Sequence, residues 1–95
     1  MFAVIAIVDV KESEIAQFEG VAAELVRNVK ANESGCVNYG LFKIRGVVGG
    51  YKFIELYDSK DAFKAHTKAD HFASVVPVLE SCFATPMQVE LLEGA

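Results

Sequence analysis

The chain has 95 residues, of which 53% are apolar, and a formal net charge of −4. A chain of this length can bury one hydrophobic core, so we expect a single domain over residues 1–95. With this acidic balance and no cluster of basic residues, nucleic acid and anionic membrane surfaces are disfavoured as partners.

Residues 2–10 form the first predicted element, and they are apolar at odd and even positions alike. A strand with one face in water would alternate apolar and polar side chains, so both faces of this strand need cover. We expect helices on one face of the sheet and a second subunit on the other. Residues 13–31 then follow helical spacing, and the segment NESG, with Gly35, ends that helix.

Two strands, over residues 36–45 and 51–58, flank a GVVGG turn. A helix is predicted over residues 59–69 and a second one from Asp70, with a kink or break at Pro77. The segment TPMQVELLE closes the chain as a last strand. The order β-α-β-β-α-α-β predicts a ferredoxin-like α+β fold, which is an antiparallel sheet with helices on one face.

The two cysteines, Cys36 and Cys82, are too few for the disulfide framework of a small secreted protein. Neither lies at the spacing of a metal-binding motif, so no metal site is predicted. The apolar opening, MFAVIAIVDV, has no basic leader and is too short to cross a bilayer. We therefore expect a cytoplasmic protein with reduced thiols and no membrane partner.

Both histidines lie in the segment AFKAHTKADHF, residues 62–72. Lysines recur every fourth residue along the predicted helix and indicate its solvent-exposed face; they are Lys60, Lys64 and Lys68. His66 falls roughly opposite Lys64 and should point inward. It could be a core histidine bonded to a backbone carbonyl or a base whose pKa burial tunes. His71, beside Asp70 at a predicted helix start, is at a position typical of surface residues.

Glu55 interrupts an apolar strand, where a buried carboxylate is costly unless it is paired or protonated. It could pair with Lys43 across the sheet, or lie beside His66 and orient that ring or hold a substrate hydroxyl. Tyr39 and Tyr57 could be core residues or hydroxyls that line a pocket. No nucleophile triad, phosphate loop or dinucleotide fingerprint is present. Such a small set of polar groups suits an apolar, planar substrate with ionisable hydroxyls.

The segments NESGCVNYGLF and YKFIELYDSKDAFKAHTKADHF resemble the antibiotic biosynthesis monooxygenase (ABM) family, which includes small quinol monooxygenases. The shared pattern is an acidic residue and Gly-Cys after a helix, a strand with Tyr, an aromatic-x-Glu-x-aromatic strand and two histidines. The resemblance implies a homodimeric α+β barrel, with two sheets packed face to face. It also implies oxygenation of a small quinol-like aromatic substrate by O2, without metal, flavin or haem.

By motif position, the resemblance implies that His66 and Glu55 are catalytic residues. It also implies a set of substrate-binding residues: Asn38, Phe53, Tyr57, His71 and Phe72. We interpret His66 as the base and Glu55 as the residue that orients it. Haem degradation, known among relatives, is disfavoured because the first strand has no Asn and no His follows His71.

Two alternatives to oxygenation stay open at the level of sequence. The same base could serve an isomerase or tautomerase that acts on an enolisable ketone without consuming O2. The chain could also be a non-catalytic, dimeric module that binds a ligand.

Overall fold

A computed structural model describes all residues, 1–95. The chain forms four strands and four helices, with a short 3-10 turn at Glu12–Glu14 before the first helix. In chain order the elements are β1 (Phe2–Asp9), α1 (Ile15–Asn32), β2 (Cys36–Lys43), β3 (Gly50–Tyr57), α2 (Lys60–Lys68), α3 (Asp70–Ala73), α4 (Val76–Ser81) and β4 (Gln88–Glu93). No helix is both long and apolar enough to cross a bilayer.

The four strands form one antiparallel sheet in the order β2-β3-β1-β4. This order and the helices between the strands make the fold ferredoxin-like, as the sequence predicted. β1 lies between β3 and β4, with Phe2 opposite Tyr57 and Val4 opposite Glu55. This register places the alternate side chains of β1 and β3 on a common face.

One face of the sheet packs against the helices and contains the hydrophobic core. β1 buries every second side chain, and these are Phe2, Val4, Ala6 and Val8. α1 covers them with a stripe at helical spacing, made of Phe18, Ala22, Leu25 and Val29. The Phe18 ring lies 4.9 Å from that of Tyr51 and 6.2 Å from that of Phe53, so aromatic packing joins α1 to β3.

The helical segment after Asp70 is broken, as the proline predicted. α3 ends at Ala73, and α4 begins at Val76 with Pro77 in its first turn. A proline lacks the backbone N–H that an interior helical residue donates to a carbonyl one turn earlier. In the first turn of a helix this N–H has no intrahelical acceptor, so a proline is tolerated there. The break separates Phe72 from Leu79 and lets each approach the sheet from its own helix.

The other face of the sheet is not covered by any element of this chain. Its apolar side chains come from all four strands and are partly or largely exposed: Ile5, Ile7, Phe42, Ile54, Leu56 and Leu92. The suggested pairing of Glu55 with Lys43 does not form, because Lys43 lies opposite Tyr51, four residues along β3 from Glu55, and its Nζ atom lies 3.6 Å from Glu19.

Candidate active site

A cavity of about 740 Å³ lies between the helix-covered face of the sheet and helices α2, α3 and α4. Most of its wall is apolar, and that wall includes Phe53, Phe63, Phe72 and Leu79. The polar side chains that line it are Tyr39, Glu55, His66, Thr67, Glu80 and Thr85. A cavity of this size and character fits a small apolar ligand held by a few polar groups.

His66 is held at the cavity wall by α2. Ser59 caps this helix by accepting the N–H of Ala62 at 3.1 Å. The lysine face turns outward as predicted, and His66 is only 2% exposed. Its ring lies 4.6 Å from that of Phe72 and 5.2 Å from that of Tyr39, measured between centroids. The prediction that this ring points inward is therefore confirmed.

The partner of His66 is Glu33, which is the C-cap residue of α1. The Nδ1 atom of His66 lies 2.9 Å and 3.1 Å from the two carboxylate oxygens of Glu33. Because a carboxylate accepts, Nδ1 carries the proton and Nε2 keeps its lone pair. Nε2 has no hydrogen-bond partner within the protein. Every fully buried side-chain nitrogen or oxygen does have one, so Nε2 is not fully buried and opens to the cavity that His66 lines.

Burial lowers the pKa of His66, although the hydrogen bond and the charge of Glu33 act in the opposite direction. A lowered pKa keeps the imidazole neutral at neutral pH. The ring therefore presents a free lone pair to the cavity, which is the form that a general base requires.

His71 bonds to the same carboxylate, with its Nε2 atom 2.5 Å from an oxygen of Glu33. It is half-buried and does not line the cavity. Glu33 therefore joins two histidines, one at the cavity wall and one behind it. His71 contacts Glu33 and not the cavity, so its location does not support the prediction that it binds substrate directly.

Glu33, His66 and His71 are the group of side chains that could hold a metal ion, since their ligand atoms all lie within 4.8 Å of one another. Two imidazoles and a carboxylate suit divalent transition metals. Ligands that share a zinc ion are about 3.3 Å apart, given metal–ligand bonds of about 2.0 Å. The shorter separations found between Glu33 and both rings are those of hydrogen bonds.

Glu55 lies on the cavity wall formed by the sheet, on β3, and is 6% exposed. Tyr57 donates its hydroxyl to a Glu55 carboxylate oxygen at 2.7 Å. Burial raises the pKa of Glu55 to about 7, with the hydrogen bond from Tyr57 opposing that rise. The expectation that Glu55 orients His66 is wrong, because Glu33 makes that contact.

The predicted substrate-binding residues divide into two groups. Phe53 and Phe72 line the cavity. Tyr57 is fully buried behind Glu55 and supports that carboxyl. The prediction for Asn38 is wrong for this cavity: Asn38 is exposed and lies opposite Leu56, on the other face of the sheet. A bulge between Cys36 and Asn38 sets this register.

Sequence reasoning missed Glu33 and left Tyr39 open, either as a core residue or as a hydroxyl that lines a pocket. Glu33 belongs to the segment NESG, which served only as a helix stop, although an acidic residue there is part of the family pattern. Tyr39 faces the cavity because it lies opposite Glu55 in the sheet. Its hydroxyl has no protein partner and opens to the cavity, and burial raises its pKa.

Residues 1–77 match the antibiotic biosynthesis monooxygenase family. The chain belongs to this family. Its structure also resembles that of a Caulobacter crescentus protein assigned as an antibiotic biosynthesis monooxygenase, at 35% identity and a TM-score of 0.95, over 99% of this chain and 89% of the other. None of the curated proteins matches the sequence.

Two further solved structures share the fold. An antibiotic biosynthesis monooxygenase is 27% identical with a TM-score of 0.92, over 100% of this chain and 99% of the other. A conserved protein from Methanosarcina mazei is 20% identical with a TM-score of 0.94, over 99% and 92% of the two chains. At 20% identity the similarity concerns the fold alone, and the chemistry of this ABM protein depends on the residues of its own cavity.

Replacing Glu33 with Gln should lower the pKa of His66 further. The carboxylate raises that pKa through its charge and its hydrogen bond, and an amide keeps the shape without the charge. The pKa can be followed by NMR titration of the imidazole signals. Glu24→Gln, on the exposed side of α1, should leave it unchanged. An unaltered His66 pKa in Glu33→Gln would contradict the pairing.

Glu55 should make the protein less stable as the pH rises. Its folded pKa, about 7, lies above the ordinary value of 4.5, so between these pH values the native state binds more protons than the unfolded state. The loss amounts to about 1.4 kcal/mol for each pKa unit. Urea unfolding at pH values below and above this window should show a smaller loss in Glu55→Gln than in the wild type. Equal losses in both proteins would count against a raised pKa.

Proposed function

We propose that this ABM protein is a cofactor-independent monooxygenase that oxidises a quinol or similar small aromatic substrate with O2. One observation supports the proposal above all. The imidazole of His66 is held through Nδ1 by Glu33, and its Nε2 atom faces an apolar cavity large enough for a small aromatic substrate. Membership of the family supports the same class of reaction.

O2 has a triplet ground state and reacts slowly with closed-shell organic molecules. Removing a proton from a quinol hydroxyl gives a phenolate, which transfers an electron to O2 much more readily. His66 Nε2 would take that proton, and the apolar walls would keep the resulting ion pair from water. Glu33 would stabilise the imidazolium through the proton on Nδ1.

The remaining steps return that proton to oxygen. O2 bonds to a ring carbon that carries hydrogen, and the imidazolium protonates the new peroxide. Loss of the carbon-bound proton then forms a carbonyl while the O–O bond breaks, and the released hydroxide takes a proton and leaves as water. One oxygen atom stays in the quinone and the other is in water, so no external reductant is needed.

Glu55 is proposed as the second catalytic group. It lines the cavity, and a pKa of about 7 allows it to donate or accept a proton at neutral pH. It would hydrogen-bond to a substrate hydroxyl or to the peroxide. Phe53 and Phe72 would pack on the substrate ring, while Tyr57 and His71 position Glu55 and Glu33 respectively.

A homodimer is proposed as the functional unit. The uncovered face of the sheet carries apolar side chains on all four strands, including Ile54, which is 40% exposed, and Leu92, which is 45% exposed. A second copy of the same sheet, packed face to face, would remove these side chains from water.

Ile54→Lys should convert the proposed dimer to monomer, because it places a charge in the apolar interface. Light scattering coupled to size exclusion measures the mass directly. Val78→Lys, on α4 at the helix side of the molecule, is the matched control and should leave the mass unchanged. A wild-type protein that runs as a monomer would refute the dimer.

His66→Gln should reduce oxygen uptake with the best quinol of a panel by about 10²–10⁴-fold, the usual contribution of a general base. Lys64→Gln, on the outer face of the same helix, is the control and should retain activity. Labelled O2 should deliver one atom to the product and one to water. Unimpaired turnover in His66→Gln would refute the role, and turnover of an enolisable ketone without oxygen uptake would favour an isomerase.

A further inference from the structure

The charged groups around the cavity are all acidic. Glu55 and Glu80 line it, and Glu33 lies directly behind His66. No lysine or arginine lines it. Lys11 approaches α4, with its Nζ atom 3.4 Å from the carbonyl oxygen of Ser81, but its side chain is exposed and lies outside the cavity wall.

We propose that the cavity selects electrically neutral ring compounds and rejects those that carry a carboxylate, sulfate or phosphate group. This inference rests on the proposed function in one respect, that the cavity is the substrate site. It narrows the substrate class from aromatic hydroxyl compounds in general to uncharged ones.

An anion would find no positively charged partner in this cavity, whose neutral donors are the hydroxyls of Tyr39, Thr67 and Thr85. Moving a carboxylate from water into an apolar site is costly unless a cation or several donors receive it. The one side chain on the wall that can become cationic is His66, and its burial opposes that charge. Protonation of Glu55 would remove a repulsion but would supply no positive charge.

The reaction itself adds to this selectivity. When His66 takes the proton of a neutral phenol, one phenolate and one imidazolium form together, and the net charge of the cavity does not change. A substrate that brought its own carboxylate would leave a second negative charge facing Glu80 and Glu55 without compensation. Charge discrimination would therefore act on binding and again on proton transfer.

The test compares a hydroxynaphthoate with its methyl ester, which has the same ring and hydroxyl but no charge. Binding to the full-length protein is measured by calorimetry at neutral pH, and no oxygen chemistry is required. The ester should bind the wild type at least tenfold more tightly than the acid. Equal affinities, tighter binding of the acid, or no binding of either compound would overturn the inference.

Two variants with the same net charge locate the effect. Glu80→Lys places a cation on the cavity wall and should reduce the ratio of ester affinity to acid affinity several-fold. Glu24→Lys changes the charge on the exposed side of α1 and should leave the ratio unchanged. If both variants narrow the ratio equally, the discrimination comes from overall charge, and selection by the cavity is refuted.

Oxygen uptake by the same protein separates this inference from the proposed function. A preserved binding ratio without uptake of oxygen by any neutral quinol would refute the oxygenase and keep the charge selection. Turnover of neutral and carboxylated quinols with equal kcat/KM would refute the selection and keep the oxygenase.

Discussion

The hydrogen bond between Glu33 and Nδ1 of His66 determines what the rest of the cavity can do. Without a carboxylate at that point, a buried imidazole would have an unpaired donor, and its tautomer would not be fixed. The contact needs the end of α1 to approach α2 closely. Gly35 permits that approach, since a Cβ at this position would lie 2.7 Å from the Cβ of Ala62. The C-cap residue of α1, Glu33, is therefore also the hydrogen-bond partner of His66.

Burial acts on the two ionisable groups of the cavity wall in opposite directions. It lowers the pKa of His66, which is cationic when charged, and raises that of Glu55, which is anionic when charged. Both shifts favour the neutral forms near neutral pH. The hydrogen bonds from Tyr57 and to Glu33 moderate these shifts, so each group can still change its protonation state during a reaction.

Local patterns predicted the fold well, whereas the site depended on contacts between distant segments. Side-chain periodicity identified the strands and helices, and the outward lysines of α2 fixed the direction of His66. The partner of His66 lies 33 residues away, and its identity depends on how two helices pack. Asn38 was assigned by motif position, and the pairing of β2 with β3 instead places it opposite Leu56 on the uncovered face. Such tertiary choices leave no periodic signal in a single sequence.

The sheet separates two tasks because successive side chains of a strand point to opposite faces. On β3, Phe53 and Glu55 face the cavity, while Ile54 and Leu56 face the uncovered side. A slip of one residue in the pairing of β1 with β3 would exchange the two sets and place Glu55 among apolar side chains on the other face. The core packing around Phe18 resists that slip, because it locks Phe53 on the helix side. The same interaction that stabilises the fold therefore keeps the acid in the cavity and leaves the apolar face free for a second subunit.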